Sequence, residues 1–219
     1  MLLVHQELLL LAIADDGSVE FTAGTSTFQL ALCGACLIDL AALGHIDVGL
    51  DEVRVRDRAP PENPTLKQVM ELLTEHSTPQ RLRFWLGQLR EVFPDLSRSA
   101  LAALCSQGIL EAQESRFLWV LASRKYPVVD GREKKEAKLR IMETLLGEEI
   151  PSPEDSILIG LARSSGVLQG FLTAREIASL EERMDQVGNL DLTAGLIEKA
   201  IQEEQEELAR AMLLNPYPI

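Results

Sequence analysis

Residues 26–43 read STFQLALCGACLIDLAAL, and Gly44 follows them directly. A helix drawn through this stretch is apolar on nearly every face, and Asp39 is its single charged residue. A helix that is apolar all round is buried on all sides, and glycine commonly ends a helix. The stretch therefore predicts a central core helix, and the rest of the fold is expected to pack around it.

The composition favours helices for the remainder of the chain as well. Hydrophobic residues make up 46% of the 219 residues and aromatic residues only 5%, so Leu, Ala, Ile and Val must build the core. These proportions favour helix over sheet. We expect one mostly α-helical domain over residues 1–219. The odd count of three cysteines points away from a secreted, disulfide-bonded class.

Apolar spacing, prolines and glycines indicate where further elements begin and end. Two short strands are expected near residues 45–48 and 53–56, and three prolines make 58–64 a loop. Thr65 and Ser97 are the expected N-caps of two helices. Helices are predicted over 2–14, 66–75, from Ser77-Thr78-Pro79 onward, 98–107, 132–146, 153–165, 174–187 and 191–213.

A β-hairpin is predicted between the helical segments. Ile109–Gln113 and Phe117–Ala122 are short apolar runs separated by Glu114-Ser115-Arg116, which is a hairpin pattern. Both faces of the second run are apolar, so this strand is either enclosed in the core or presented to an apolar partner. The sequence leaves both interpretations open.

Signs of catalysis, metal binding and membrane spanning are missing from the sequence. No phosphate-binding glycine loop, nucleophile elbow or HExxH motif occurs, so no enzyme, catalytic residue or cofactor is expected. Cys33 and Cys36 form a CxxC, but no second ligand pair accompanies them, and we interpret them as core residues. The apolar run Leu8–Ala14 lacks a basic region before it and is far shorter than the roughly 20 residues of a membrane span.

Charge is distributed unevenly along the chain. The net charge is −13, yet residues 81–140 carry 12 basic and 7 acidic side chains, whereas residues 1–80 and 141–219 are strongly acidic. An acidic protein is repelled by nucleic acids and anionic membranes. The basic middle third is either a solvated surface paired with acidic neighbours or one attractive face. A winged-helix DNA reader is disfavoured because its recognition helix would carry only Arg98.

Several segments, taken in order, resemble the Golgi phosphoprotein three family of lipid-dependent adaptors and its bacterial relatives. The matching pieces run from residue 5 to residue 172, and two acidic helices follow over 173–219. They are LLLLAIADDG at 8–17, GACLIDLA at 34–41 with Gly44, the proline loop and helix at 60–73, FWL at 84–86, the stretch 104–110, and Tyr126-Pro127.

The resemblance implies a mostly helical domain around a central apolar helix, with a β-hairpin on one face. It also implies peripheral binding to phosphatidylinositol 4-phosphate on the cytoplasmic face of a membrane, without enzymatic activity. The family's lipid-site arginines do not carry over, because one falls on Cys33 and two fall near Pro94 and Ser97. Arg90 and Arg98 are the nearest basic residues. The missing arginines and the absence of a long N-terminal extension point to a bacterial member.

The hairpin is the part of the resemblance that transfers best. The family uses this segment for oligomer contacts and membrane insertion, and Trp119 suits an interfacial position. Arg124 and Lys125 follow it and add positive charge. The candidate site therefore consists of Arg90, Arg98, Arg124 and Lys125 for an anionic headgroup, with Phe117, Leu118, Trp119, Val120 and Leu121 for the membrane or a second copy.

One alternative keeps the fold without the lipid. In it the chain is a protein-interaction scaffold, and the acidic C-terminal helix is the surface that binds a protein partner. An enzyme ranks last among the interpretations.

Overall fold

A computed structural model describes residues 2–19, 25–49, 52–76, 78–114, 124–188 and 190–214. Within these residues the protein is mostly helical, with two small antiparallel sheets. The helices are α1 Val4–Ala12, α2 Thr25–Ala42, α3 Pro64–Glu75, α4 Leu82–Glu91, α5 Phe93–Ser106, α6 Arg132–Leu146, α7 Pro153–Ser164, α8 Ala174–Gly188 and α9 Leu192–Leu214. A 3₁₀ turn, Val167–Gly170, joins α7 to α8. The strands are β1 Ile46–Val48, β2 Val53–Val55, β3 Gln113–Glu114 and β4 Arg124–Lys125.

The central apolar helix predicted from the sequence is confirmed as α2. It contacts α1, α3, α4, α7 and α9. Its large side chains are almost fully buried, among them Phe28, Leu30, Leu37 and Leu40. Gly34 brings α9 close, since a Cβ at this position would lie 2.6 Å from Cγ2 of Ile197. Burial of a helix on all sides is what an all-round apolar sequence requires.

Asp39 joins α2 to the start of α1. Its carboxylate accepts hydrogen bonds from the backbone N–H groups of Val4 and His5 at 2.9 and 3.0 Å. It also lies 2.6 Å from Nδ1 of His5. The first N–H groups of a helix have no partner within the helix, and Leu3 at the N-cap supplies none. The single charge of α2 therefore caps α1.

The N-cap of α3 lies two residues before the predicted one. Asn63, not Thr65, is the N-cap, and its side chain accepts from the backbone N–H groups of Thr65 and Leu66 at 2.9 and 3.2 Å. Pro64 occupies the first turn, where its missing N–H costs nothing. The prediction of Thr65 as the cap was wrong because the helix begins at Pro64, two residues before the predicted start at 66.

The starts of α4 and α5 also differ from the prediction. Gln80 accepts a backbone hydrogen bond from Val53 at 2.8 Å, so the chain before Leu82 pairs with β2 instead of starting a helix at Ser77-Thr78-Pro79. The predicted cap Ser97 lies inside α5, which begins at Phe93 with Pro94 in its first turn. Both predictions placed the helix start at a polar residue. The start of α4 depends instead on a tertiary contact, and α5 begins next to a proline.

A β-hairpin is present in the part of the chain that the structure describes, but its predicted pairing was wrong. Glu114, predicted in the turn, lies in β3, and the partner of the first strand is 124–128 instead of 117–122. Gln113 pairs with Lys125 and Glu114 pairs with Arg124, and Leu110 bridges to Val128. The predicted second strand, 117–122, lies outside the described residues, as do the hairpin residues Phe117, Leu118, Trp119, Val120 and Leu121. The predicted strands near 45–48 and 53–56 are confirmed as β1 and β2.

Candidate functional site

The hairpin base is the pair of segments 109–114 and 124–129, and backbone hydrogen bonds fix it to itself. Glu111 donates to the carbonyl of Pro127, and Val129 donates to the carbonyl of Ile109, each at 3.0 Å. Ile109 and Leu110 are buried, so they join the hairpin to the core. The two segments of the base are therefore paired with each other and joined to the core.

Gly17 anchors the hairpin base to the turn after α1. Its carbonyl accepts a hydrogen bond of 2.7 Å from the backbone N–H of Tyr126. Its φ is +79°, and a Cβ there would lie 2.6 Å from the backbone nitrogen of Pro127. Only glycine combines this left-handed conformation with so close an approach. The Asp-Asp-Gly turn and the Tyr-Pro pair thus meet in space.

Lys125 is the one candidate cation of the hairpin base whose side chain lies among the described residues. Its Nζ lies 2.5 Å from Oδ2 of Asp16. Hydrogen bonds from Lys125 and Ser18 hold the pKa of Asp16 well below its ordinary value. Val129, four residues further on, is 61% exposed. The base therefore contains a paired cation and an exposed apolar residue. The backbone of Arg124 pairs with Glu114, and its side chain lies outside the described residues.

The basic residues that follow the hairpin are mostly paired with acidic groups or packed against the body. Nζ of Lys134 is 3.3 Å from Oδ1 of Asp15 and also donates to the carbonyl of Ile13. Arg140 bridges Glu7 and Asp155, and Lys138 lies over the ring of Phe171. These contacts favour the first interpretation of the basic middle third, a surface neutralised by its neighbours.

Arg90 lies at the end of α4 and faces α9. Its Nη1 is 3.6 Å from Oε1 of Glu204, and its side chain is 23% exposed. Burial raises the pKa of the Cys33 thiol to about 12, and the positive charge of Arg90 opposes that shift. The charge of the Arg90 guanidinium thus acts on Cys33, the position in α2 that aligns with the family's arginine.

Arg98 lies on α5 and has a different ion-pair partner from Arg90. Its Nη1 is 2.8 Å from Oδ1 of Asp95, and both side chains are about two-thirds exposed. It lines a groove of about 570 Å³ between α3 and α5 that also contains Glu71 and Glu75. Acidic neighbours disfavour an anion here. No ion pair or hydrogen bond among the described residues joins Arg90, Arg98 and Lys125 into one cluster.

Cys33 and Cys36 are core residues of α2, as the sequence indicates. Both are buried, and burial raises the pKa of each thiol well above its ordinary value, which disfavours the thiolate form that a metal ligand or nucleophile needs. Across the described ranges no group of three or more His, Cys, Asp or Glu side chains could hold a metal ion. None of the helices in those ranges combines the length and apolarity needed to cross a membrane.

Sequence reasoning missed Arg83, the second arginine of α4. Its Nε lies 3.0 Å from Oε2 of Glu204, and it also pairs with Glu207. The spacing of seven residues between Arg83 and Arg90 places both on one helix face. This spacing can be read from the sequence and would have identified the pair. Nothing in the sequence shows that the acidic face of α9 packs against them.

Two comparisons with known proteins bear on the chain. A family model described as Golgi phosphoprotein 3 (GPP34) matches residues 4–204. This match reaches further towards the C-terminus than the resemblance of individual segments does, and it includes most of α9. No curated protein matches the chain.

Proposed function

Because this chain belongs to the Golgi phosphoprotein 3 (GPP34) family, we propose that it is a peripheral membrane protein that binds anionic phospholipid. In this role it acts as an adaptor and catalyses no reaction. Phosphatidylinositol 4-phosphate is the ligand that the resemblance implies, and a phosphate headgroup is the chemistry that guanidinium and ammonium groups recognise.

The observation that carries the proposal is the hairpin base. It is fixed to the core by Ile109 and Leu110 and to the first turn through Gly17. It includes Lys125, which pairs with Asp16, and the exposed Val129, and the connecting sequence from Phe117 to Ala122 is apolar. An apolar edge with adjacent positive charge is the pattern that binds anionic interfaces.

Arg90 supports a headgroup contact at the α2–α4 junction. Its guanidinium is close enough to α2 to influence Cys33, the position on which the family's arginine falls. Cys33 itself is fully buried and cannot touch a headgroup. In this proposal Arg90 takes over part of the role of the arginine that the chain lacks.

The proposal is tested with two hairpin variants, Trp119→Ala and the double charge reversal Arg124→Glu/Lys125→Glu. We expect each to reduce pelleting with anionic vesicles at least about tenfold, since the apolar anchor or the positive charge is lost. Sedimentation of the free variants measures self-association through the hairpin. Unchanged vesicle binding and unchanged self-association in both variants would refute the assignment.

A matched control reverses two arginines on other elements. Arg58 in the proline loop and Arg175 at the start of α8 are both exposed, and their reversal changes the net charge by the same amount. We expect vesicle binding of Arg58→Glu/Arg175→Glu to fall far less than that of the hairpin reversal. Equal losses would mean that net charge, rather than the hairpin, governs binding.

The scaffold alternative has one supporting observation. Most basic side chains described above already have a carboxylate partner. Glu203 and Glu206 of α9 are exposed, and Glu206 pairs with Arg210 one turn along the same helix. An acidic helix of this kind suits a basic protein partner. Wild-type protein that ignores every vesicle but retains a protein partner through α9 would favour this alternative.

A further inference from the structure

Two arginines of α4 converge on a single carboxylate of α9. Nε of Arg83 is 3.0 Å from Oε2 of Glu204, and Nη1 of Arg90 is 3.6 Å from its Oε1. Arg83 also pairs with Glu207, one helical turn further along. Two guanidinium groups that meet on the two oxygens of one anion form a ready site for a larger anion.

Gly87 leaves open space between these arginines. Residues 83, 87 and 90 are spaced by four and three, so they share one face of α4. A Cβ at Gly87 would meet no atom within 4 Å. Glycine is a poor residue for a helix interior, and no close neighbour requires it at this position. The helix surface between the two guanidinium groups is therefore uncovered.

The contacts of α9 divide into an apolar part and a charged part. Ala194, Ile197, Ala200 and Ile201 are buried and hold the first half of the helix against the core. Further along, Glu204 and Glu207 reach Arg83 and Arg90 through partly exposed ion pairs, which contribute little to stability. The charged contacts can thus open while the apolar half stays in place.

We propose that Arg83, Gly87 and Arg90 form a binding site for a phosphate monoester. Glu204 and Glu207 occupy that site when no ligand is bound, so α9 acts as an intramolecular latch. A phosphate monoester carries nearly two negative charges and three acceptor oxygens, which match the two carboxylates it displaces. When the phosphate belongs to a lipid, the site rests on the membrane function proposed above.

The latch is tested by removing its charge without changing its shape. In the latch variant, Glu204→Gln/Glu207→Gln, we expect inorganic phosphate to bind about tenfold more tightly than in the wild type, because the competing anions are gone. The matched control is Glu203→Gln/Glu206→Gln on the exposed side of the same helix, with an expected change of less than about twofold. Titration calorimetry measures both. A latch variant that binds phosphate no better than the control overturns the proposal.

The site is tested by adding Arg83→Gln and Arg90→Gln to the latch variant. We expect this quadruple variant to lose the gain and to bind phosphate no better than the wild type. A gain that survives the loss of both arginines overturns the proposal. Circular dichroism of each variant, with melting temperatures close to that of the wild type, confirms that the helices remain folded.

Vesicles identify the source of the phosphate. Phosphatidic acid presents a phosphate monoester and phosphatidylglycerol a diester, so a gain for the latch variant on the first alone supports a lipid ligand. A gain with phosphate in solution, and none on either vesicle, supports the site with a soluble phosphate monoester as its ligand. That second result counts against the membrane function and leaves the α4 site standing.

Discussion

At the scale of single residues, Glu198 combines burial with an unusual position. Its carboxyl group lies against Gly160 of α7, where any Cβ would overlap Oε1, and Gly188 of α8 is also near. Oε1 has no hydrogen-bond partner among the described residues. Burial raises the pKa of Glu198 to about 7, while Arg163 lowers it and Asp185 raises it further.

This pKa makes stability depend on pH near neutrality. The folded protein keeps the proton of Glu198 up to about pH 7, whereas the unfolded chain loses it near 4.5. The contribution is therefore complete below about pH 4.5 and lost as the pH rises through 7, by at most about 3 kcal/mol. We expect Glu198→Gln to flatten this slope in urea unfolding between pH 5 and pH 8.

The control for this prediction is Glu203→Gln, an exposed change on the same helix. It should keep the wild-type slope. If Glu198→Gln and the wild type lost the same stability between the two pH values, the burial of this carboxyl would not govern the pH dependence.

Gly17 gives a second prediction, on the docking of the hairpin base. Gly17→Ala combines a positive φ with a backbone clash against Pro127, whereas Gly108→Ala at φ +74° meets nothing within 4 Å. Both variants carry the cost of the left-handed conformation, roughly 1 kcal/mol. We expect Gly17→Ala to lower the free energy of unfolding by about 1–2 kcal/mol more than Gly108→Ala does. Equal losses in urea unfolding would contradict this docking.

Some residue roles follow from sequence and others do not. Cys33 and Cys36 were predictable as core residues because their neighbours in α2 are apolar. Asn63 was also predictable, since Asn followed by Pro marks an N-cap and first turn, and this pair is a stronger signal than Thr65. The burial of Glu198 could not be predicted, because the space for its carboxyl group is left by Gly160, 38 positions earlier in the chain.

At the scale of elements, the joint between α1 and α2 depends on one carboxylate. Asp39 is 3% exposed and accepts from two backbone N–H groups and from Nδ1 of His5. Buried acceptors with several donors are costly to remove, because the donors lose their partner without regaining water. The central helix thus fixes the entry of the first helix.

This joint predicts a large effect for a small change. Asp39→Asn keeps the size of the side chain but replaces one acceptor by a donor, and we expect about 2–4 kcal/mol of destabilisation. The control is Asp47→Asn in β1, whose partner Arg56 is exposed, with an expected loss below about 1 kcal/mol. Urea unfolding of both proteins distinguishes them, and a loss at Asp39 no larger than at Asp47 would contradict the capping role.

Elements were predictable where local pattern alone decides them. The sequence predicts a helix over 132–146, the boundaries that α6 has, because Gly131 and Gly147 bound its helical spacing. The start of α4 was not, since the chain before it pairs with β2 through Val53 and Gln80. A backbone contact between residues 27 positions apart leaves no local signal.

At the scale of the whole molecule, the basic middle third is joined to the acidic ends by ion pairs. Lys134 reaches Asp15, Arg140 reaches Glu7, and Arg83 reaches Glu204. With a net charge of −13, the protein as a whole is repelled by an anionic surface. The proposed function therefore requires binding that is local, through the hairpin base, and strongly weakened by salt.

The overall architecture was largely predictable, and the site was not. The central helix, the helical class and the hairpin follow from apolar patterns and from the family resemblance. The arrangement of Arg83, Arg90 and Glu204 depends on how α9 packs against α4, which no local pattern encodes. The roles of Arg98, Arg124 and the hairpin residues 117–121 remain predictions.

The central claim is that the protein binds anionic phospholipid, and co-sedimentation with vesicles tests it most directly. Wild-type protein is mixed with neutral, phosphatidylglycerol, cardiolipin and phosphatidylinositol 4-phosphate vesicles at low and at physiological salt. We predict selective pelleting with one or more anionic vesicles, strongest at low salt, and none with neutral vesicles. No pelleting with any vesicle at either salt concentration would contradict the claim.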